Sequence, residues 1–276
     1  MKKFAVFGNP IAQSLSPTIH QMFAEQTGQV ISYEKILAPE DGFKEAAKAF
    51  FAQEGALGCN VTMPFKLDAF ELAKVDDQAA KDAKAVNTIM LSDDGTLKGF
   101  NTDGVGLVND LLNNGVKLNN QRVLLLGAGG AARGVISPLF DAGITTLTIA
   151  NRTLERAQQV AGESTHSSNI NVVSLDEVKS TKPNIIINST ATSLHGTLPC
   201  EVNATLLSEC AAVYDMVYKN SPTPFMQSAS KMGVPQCIDG LGMLVEQAAA
   251  AFTIWTGVKP NTKSVVEYVR QSINQS

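Results

Sequence analysis

The sequence predicts an α/β protein of two domains, and three observations carry that reading. Short apolar strands alternate with helical patterns through the first hundred residues, a glycine turn ends an apolar run near residue 127, and an alanine-rich helical segment lies towards the end of the chain. At 276 residues the chain is long enough for two domains of ordinary size. Its 44% hydrophobic and 17% charged residues are those of a globular protein.

In chain order, residues 3–8, 32–38 and 57–62 are strand-like, with helical patterns over 17–27 and 41–53 between them. This alternation favours right-handed β-α-β units and a mostly parallel sheet. A hairpin follows, its strands at 86–91 and 96–100 around Ser92-Asp93-Asp94-Gly95. Then come a helix over 103–113, a polar linker over 114–121, and an apolar run that breaks into Gly127-Ala128-Gly129-Gly130-Ala131-Ala132.

That turn has the spacing G-x-G-x-x-A. Gly127 permits the tight bend, Gly129 lets a pyrophosphate approach the backbone, and Ala132 keeps the helix close to the sheet. The phosphates would meet the unpaired amides of the helix that follows. A second apolar strand, 146–150, ends in Asn151-Arg152-Thr153, where the adenosine ribose is read. An NAD enzyme usually places an acid there, yet the first acid is Glu155, inside the next helix. A guanidinium at Arg152, with Asn151 and Thr153 as further donors, suits a 2′-phosphate and predicts NADP. The competing reading makes Arg152 a solvated residue and Thr153 a helix N-cap. Residues 183–188 and 211–216 supply further strands of a Rossmann-like sheet, with their ends facing the cofactor. The helical segments over 240–257, which carries Trp255, and 263–275 should pack back on the first domain. The expected division is 1–101 plus 241–276 for a substrate domain and 102–240 for the nucleotide domain.

A formal net charge of −4 with no basic stripe gives no electrostatic footprint for nucleic acid. No stretch is apolar and long enough to cross a membrane, and the apolar run after Lys3 is too short for a signal peptide. Without a secretory leader, the glycosylation triplet Asn60-Val61-Thr62 carries no weight. Cys59, Cys200, Cys210 and Cys237 form no C-x-x-C pair and His20, His166 and His195 are scattered, so no metal site is expected. Reduced thiols and a cytoplasmic location are the default. A homodimer stays open.

Four polar clusters interrupt apolar structure. Ser14-Leu15-Ser16-Pro17 reads as a helix start, with Ser16 as cap and two hydroxyls available to a polyol or carboxylate. In Asn60-Val61-Thr62-Met63-Pro64-Phe65-Lys66, strand alternation points Asn60 and Thr62 the same way, and Lys66 opens a helix where the dipole disfavours a cation. That conflict suggests a role beyond stability, although a solvated surface lysine is the commoner case. Ala85-Val86-Asn87-Thr88 starts a strand, and Asn101-Thr102-Asp103-Gly104 starts a helix with Asp103 as a plausible cap. A lysine and an aspartate brought together make an acid/base pair for moving a hydroxyl proton while hydride goes to a nicotinamide. An adjacent carboxylate favours the ammonium, so the pattern leaves open which group holds the mobile proton.

Taken in order, these clusters, the glycine turn, Asn151-Arg152-Thr153 and Asp239-Gly240-x-x-Met243-Leu244-x-x-Gln247 resemble the shikimate dehydrogenase family almost end to end. The resemblance implies reversible NADPH-dependent reduction of 3-dehydroshikimate to shikimate, a step towards chorismate and the aromatic amino acids. It implies Lys66 and Asp103 as the catalytic pair. Substrate would be held by Ser14, Ser16, Thr62, Lys66, Asn87, Asp103, Tyr218 and Gln247, with Asn60 nearby. The cofactor would be lined by Gly127, Ala128, Gly129, Gly130, Ala131, Asn151, Arg152, Thr153, Arg156, Met216 and Gly240. Two departures are Gln78, where some members carry an acid near the cofactor, and Phe100, whose position is often polar. Two rivals remain: a quinate/shikimate dehydrogenase of broader substrate or NAD use, and a non-catalytic sensor of NADP or shikimate on the same scaffold.

Overall fold

A computed structural model describes residues 1–275. The chain divides into two units, Met1–Gly106 with Val245–Val269, and Leu107–Leu244 with the residues from Arg270 onward. These boundaries fall a few residues past the expected 101/102 and 240/241. Asn87 Nδ2 donates to Thr102 Oγ1 (3.0 Å) and Asp103 Oδ1 (2.9 Å), which holds Asp103 in the first unit. The last helix does not return wholly to that unit, because Arg270 pairs with Asp239 of the second.

The first unit contains β1 (Lys2–Gly8), α1 (Ser16–Thr27), β2 (Ile31–Leu37), α2 (Phe43–Phe51), β3 (Ala56–Val61), α3 (Lys66–Leu72), β4 (Lys74–Val75), α4 (Gln78–Ala83), β5 (Thr88–Leu91), β6 (Leu97–Phe100) and the start of α5 (Asp103–Asn113). Its six-stranded sheet has the order β2-β1-β3-β5-β6-β4. β5 alone runs against its neighbours, because the hairpin turn sends it back along β3 and β6. Both faces are covered, so β1 is a continuous apolar run rather than an alternating one. Ala5 and Phe7 pack towards Phe43 and Phe50 of α2, while Phe4 stacks on Trp255 with ring centroids 4.7 Å apart. Trp255 also donates from Nε1 to Ile89 O at 3.0 Å.

The second unit holds the rest of α5, then β7 (Arg122–Leu126), α6 (Gly130–Asp141), β8 (Thr146–Ala150), α7 (Leu154–Glu163), β9 (Ile170–Val173), β10 (Ile185–Asn188), β11 (Ala212–Asp215), α8 (Pro224–Lys231), β12 (Gln236–Asp239) and the first residues of α9 (Leu241–Thr256). The last helix, α10 (Lys263–Gln275), is divided between the units at Arg270. The sheet is parallel throughout with the order β12-β11-β10-β7-β8-β9. This is the doubly wound arrangement whose strand order reverses beside the first strand, here β7; in sheets of this kind the crevice beyond the carboxyl ends of the strands at that point is where ligands bind. Alternate residues bury on opposite faces: Val123, Leu125, Ile185 and Ile187 on one, Leu124, Leu126 and Ile186 on the other.

The expected strands and long helices are present with ends within two residues. The pattern does not disclose β4, α4, β9, α8 or β12.

One core group has a pH signature. His20 is fully buried, stacked on Tyr33 at 4.4 Å, and burial pushes its pKa down to about 3 against the opposing effect of its hydrogen bond to Asn60. The unfolded chain binds a proton near pH 6.5 that the folded chain refuses, so this contribution to stability is complete above that pH and is lost as pH falls towards 3. His20→Phe should therefore make the unfolding free energy between about pH 4 and 6 less steep by about 1.4 kcal/mol per pH unit. Urea titrations at the two pH values check this, and an unchanged slope would show that His20 protonates freely in the folded state.

Candidate active site

Lys66 is placed by the turn that ends β3. Thr62 N donates to Phe7 O at 2.9 Å and Phe65 N to Thr62 O at 3.0 Å, and the buried Phe65 ring stacks on Phe43 at 5.3 Å. The next residue, Lys66, opens α3, and its carbonyl accepts from Val86 N at 2.9 Å. Lys66 Nζ meets Asp103 Oδ2 at 2.5 Å, the side chains being 31% and 14% exposed. The carboxylate at the start of α5 thus offsets the unfavourable place of an ammonium at a helix N-terminus.

Asp103 does not act as the helix cap. It is the first residue of α5, and its own N–H donates to Asn101 Oδ1 at 3.1 Å, two residues before it. Asn101 is in turn held by donation from its N to Asp77 Oδ2 and from its Nδ2 to Ala85 O. The Asp103 carboxylate is left to Lys66 on one oxygen and to Asn87 Nδ2 on the other. Thr102, which sequence reasoning passes over as a candidate, donates to Gln247 Oε1 of α9 at 3.5 Å and so connects Gln247 to this group.

Ser16 does not cap α1 either. The capping position is Leu15, without a side-chain bond, and the Ser14 and Ser16 hydroxyls lie 3.2 Å apart at the first turn. Ser14 and Thr62 are half-buried, the latter just past β3. Asn60, by contrast, has every hydrogen-bonding position of its side chain taken inside the protein: Oδ1 accepts from Tyr33 Oη and faces His20 Nε2, and Nδ2 donates to Asn87 O and Thr88 Oγ1. Gln78 is exposed on α4 and bonded to Asp82.

In the second unit, Gly127 has φ 109°, a conformation that favours glycine, and its N–H donates to Ala150 O at 2.8 Å, locking the turn to the end of β8. A side chain there would also meet Ser189 Oγ at 2.5 Å. Ser189 and Thr190, at the carboxyl end of β10, are neighbours of the nucleotide turn that no sequence motif marks. Around Gly129 and Gly130 there is open space, and the capping position of α6, Gly129, has no side-chain bond. Exposed amides with room before them are what a pyrophosphate needs. Asn151 Nδ2 donates to Thr153 O at 2.8 Å, bracing the loop after β8. Thr153 is the capping residue of α7 by position, yet its hydroxyl makes no capping bond. Arg152 and Arg156 are exposed, and neither enters an ion pair among the described residues.

Met216 N donates to Asn188 O at 2.9 Å beyond the end of β11. Tyr218 is half-buried, and burial followed by the Asp239 charge pushes its phenol up from the ordinary value. Gly240 follows β12 so closely against this segment that a Cβ would lie 2.1 Å from Met216 O. Backbone cannot yield as a side-chain tip can. Gly240→Ala should cost about 1–3 kcal/mol by the strain of overpacking. Thermal unfolding checks this; a variant with native stability would show that the segment from Met216 to Tyr218 moves aside freely.

Among the described residues no group of three or more His, Cys, Asp or Glu is placed to hold a metal ion, and no helix is long and apolar enough to cross a membrane. The residues of the second unit fit a phosphorylated dinucleotide, with a glycine turn, open helix amides and, among the described residues, arginines outside any ion pair after β8.

Comparison with known proteins agrees along the whole chain. Family models match in chain order: the shikimate dehydrogenase substrate binding domain over residues 6–89, shikimate / quinate 5-dehydrogenase over 109–209, and the shikimate 5'-dehydrogenase C-terminal domain over 240–271. A shikimate dehydrogenase (NADP(+)) of Alteromonas mediterranea is 68% identical over 276 residues, covering 100% of this chain and 99% of its own. That of Aeromonas salmonicida is 48% identical over 273 residues, 99% of each chain. Among solved structures, an Ael1 enzyme from Pseudomonas putida has a TM-score of 0.91 at 40% identity, covering 97% of this chain and 98% of its own. Shikimate 5-dehydrogenase from Thermus thermophilus in complex with NADP(H) and shikimate has a TM-score of 0.87 at 33% identity, covering 99% and 100%. With Lys66 against Asp103 in one unit, a glycine turn and Arg152 in the other, and relatives matched from end to end, this chain belongs to the shikimate dehydrogenase family.

Proposed function

We propose that this chain is an NADP-dependent shikimate dehydrogenase, an oxidoreductase that reversibly reduces 3-dehydroshikimate to shikimate in aromatic amino acid biosynthesis. The observation that carries the reading is the Lys66–Asp103 pair, a proton donor and a carboxylate held 2.5 Å apart and only partly exposed to solvent. NADPH, when bound, supplies the hydride to the substrate's carbonyl carbon. Lys66 Nζ gives a proton to the carbonyl oxygen as it becomes a hydroxyl, and takes it back in the oxidative direction. Asp103 holds the ammonium in place and accepts a substrate hydroxyl, with Asn87 Nδ2 fixing its other oxygen. Within the first unit, Ser14, Ser16, Thr62 and Gln247 bind the carboxylate and the remaining hydroxyls. Gly127 to Ala131, with Met216 and Gly240, receive the pyrophosphate and nicotinamide end of NADP, and Asn151, Arg152, Thr153 and Arg156 its 2′-phosphate. The four cysteines are free thiols, which suits a cytoplasmic enzyme.

The test is the appearance of reduced nicotinamide absorbance with shikimate or quinate, each with NADP+ or NAD+, in one buffer. Fast turnover with shikimate and NADP+ alone is expected. Efficient turnover of quinate or use of NAD+ would move the chain to the broader quinate/shikimate enzymes. Inertness in all four mixtures, with shikimate still bound in calorimetry, would make it a sensor.

A further inference from the structure

Behind the catalytic pair, the first unit contains a line of buried polar side chains with no packing need for polarity. His20 and Thr88 are fully buried, and Asn87 and Asn60 are 3% and 6% exposed. Two backbone groups settle which way each hydrogen bond runs. Asn87 O can only accept, so Asn60 presents Nδ2 to it (3.3 Å) and to Thr88 Oγ1 (3.1 Å), and its Oδ1 faces His20 Nε2 (3.2 Å) and Tyr33 Oη (2.7 Å). His20 must then carry its hydrogen on Nε2. Thr102 N can only donate, so Asn87 presents Oδ1 to it (2.9 Å) and Nδ2 to Asp103 (2.9 Å). Thr88 Oγ1, having accepted from Asn60, gives its own hydrogen to Asn87 Oδ1 at 2.9 Å.

Every donor along this path therefore points towards Asp103: His20 to Asn60, Asn60 to Thr88, Thr88 to Asn87, Asn87 to the carboxylate that faces Lys66. Bonds aligned in one direction polarise one another, and each fixes the orientation of the next amide. The far end is closed, since His20 Nδ1 has no hydrogen-bond partner among the described residues and its ring is stacked on Tyr33 beside Phe23, Phe252 and Trp255. The near end is the partly exposed ion pair. We propose that His20, Asn60 and Thr88 form a one-way hydrogen-bond relay that positions Asn87, and through it the Asp103 carboxylate, opposite Lys66. Thr88 is the link, because its single hydroxyl must accept from one amide and donate to the other. Asn60 becomes a positioning residue rather than one that touches substrate.

The relay rests on the dehydrogenase reading, and its test separates the two. Thr88→Val keeps the shape and removes the hydroxyl, while Thr88→Ser keeps the hydroxyl. With shikimate and NADP+, Thr88→Val should lower kcat about tenfold to a hundredfold, the effect of a small misplacement at the reacting atoms, with KM for shikimate within about threefold. Thr88→Ser should recover kcat to within about threefold of the parent. Undiminished kcat in Thr88→Val, no recovery in Thr88→Ser, or a KM that rises in step with the fall in kcat would overturn the relay. A parent enzyme inert with shikimate would instead overturn the function. Independently of activity, 15N spectra of the His20 ring in the unmodified protein should show one neutral form protonated at Nε2 between about pH 5 and 8. An Nδ1-protonated ring or an imidazolium in that range would break the direction of the chain and sink the inference.

Discussion

Replacing Lys66 by alanine should lower kcat for shikimate oxidation by about a hundredfold to ten-thousandfold, the range that a positioned acid/base group supplies. Shikimate affinity should stay within about tenfold, because the proton moves in the transition state and an interaction made mainly there appears in kcat rather than in KM. The structure says why the variant should fold. The anchor of α3 is the buried Phe65 ring before Lys66, and the Lys66 side chain, 31% exposed, carries none of that packing. Asp103 keeps its bond from Asn87 Nδ2 in the variant, so the carboxylate is not cast adrift. Steady-state kinetics with shikimate varied at saturating NADP+, beside a calorimetric shikimate titration, makes the measurement. Near-normal turnover would remove Lys66 from the mechanism and leave Asp103 to move the proton alone. A loss of affinity as large as the loss of turnover would make Lys66 a binding group.

Much of this site is legible in the sequence because its constraints are local. Gly127 needs a positive φ and Lys66 opens a helix against its dipole, and both facts show in a few consecutive residues. The parallel strands are legible because burial on both faces makes runs such as 123–126 and 185–187 apolar without a break. The edge strand β12 is half-buried along its length and β4 has only two residues, so neither writes a pattern. The capping roles that the sequence offers as the plain alternative for Ser16 and Asp103 are not taken up: Ser16 lies inside α1, one position past Leu15, and the Asp103 carboxylate is held by Lys66 and Asn87 from distant parts of the chain. Thr88 shows the limit most clearly. A threonine at the start of a strand is an ordinary β-former, and only the register that pairs Asn60 with Thr88 brings its hydroxyl between two amides.

Arg152→Ala should raise KM for NADP+ by about tenfold to a hundredfold while that for NAD+ stays within about threefold, since a hydrogen bond to a charged group is worth about 1.5–3 kcal/mol and NAD+ has no 2′-phosphate to lose it. Arg152 sits directly after β8, whose end is bonded to the glycine turn through Gly127 N and Ala150 O. The glycine turn and the loop that carries Arg152 are thereby held together by paired backbone. The guanidinium is exposed and has no ion-pair partner among the described residues, so it carries full charge into the encounter and no internal bond must break first. Thr153, with its hydroxyl unused as a cap, and Arg156 on α7 can share the phosphate, which is why the loss should not reach the limit of a lone contact. Adding salt should shrink the difference between parent and variant for NADP+ alone, because exposed charges are screened. Equal effects on the two cofactors would mean that Arg152 supports the loop rather than reading the phosphate, and no effect on either would pass that role to Arg156.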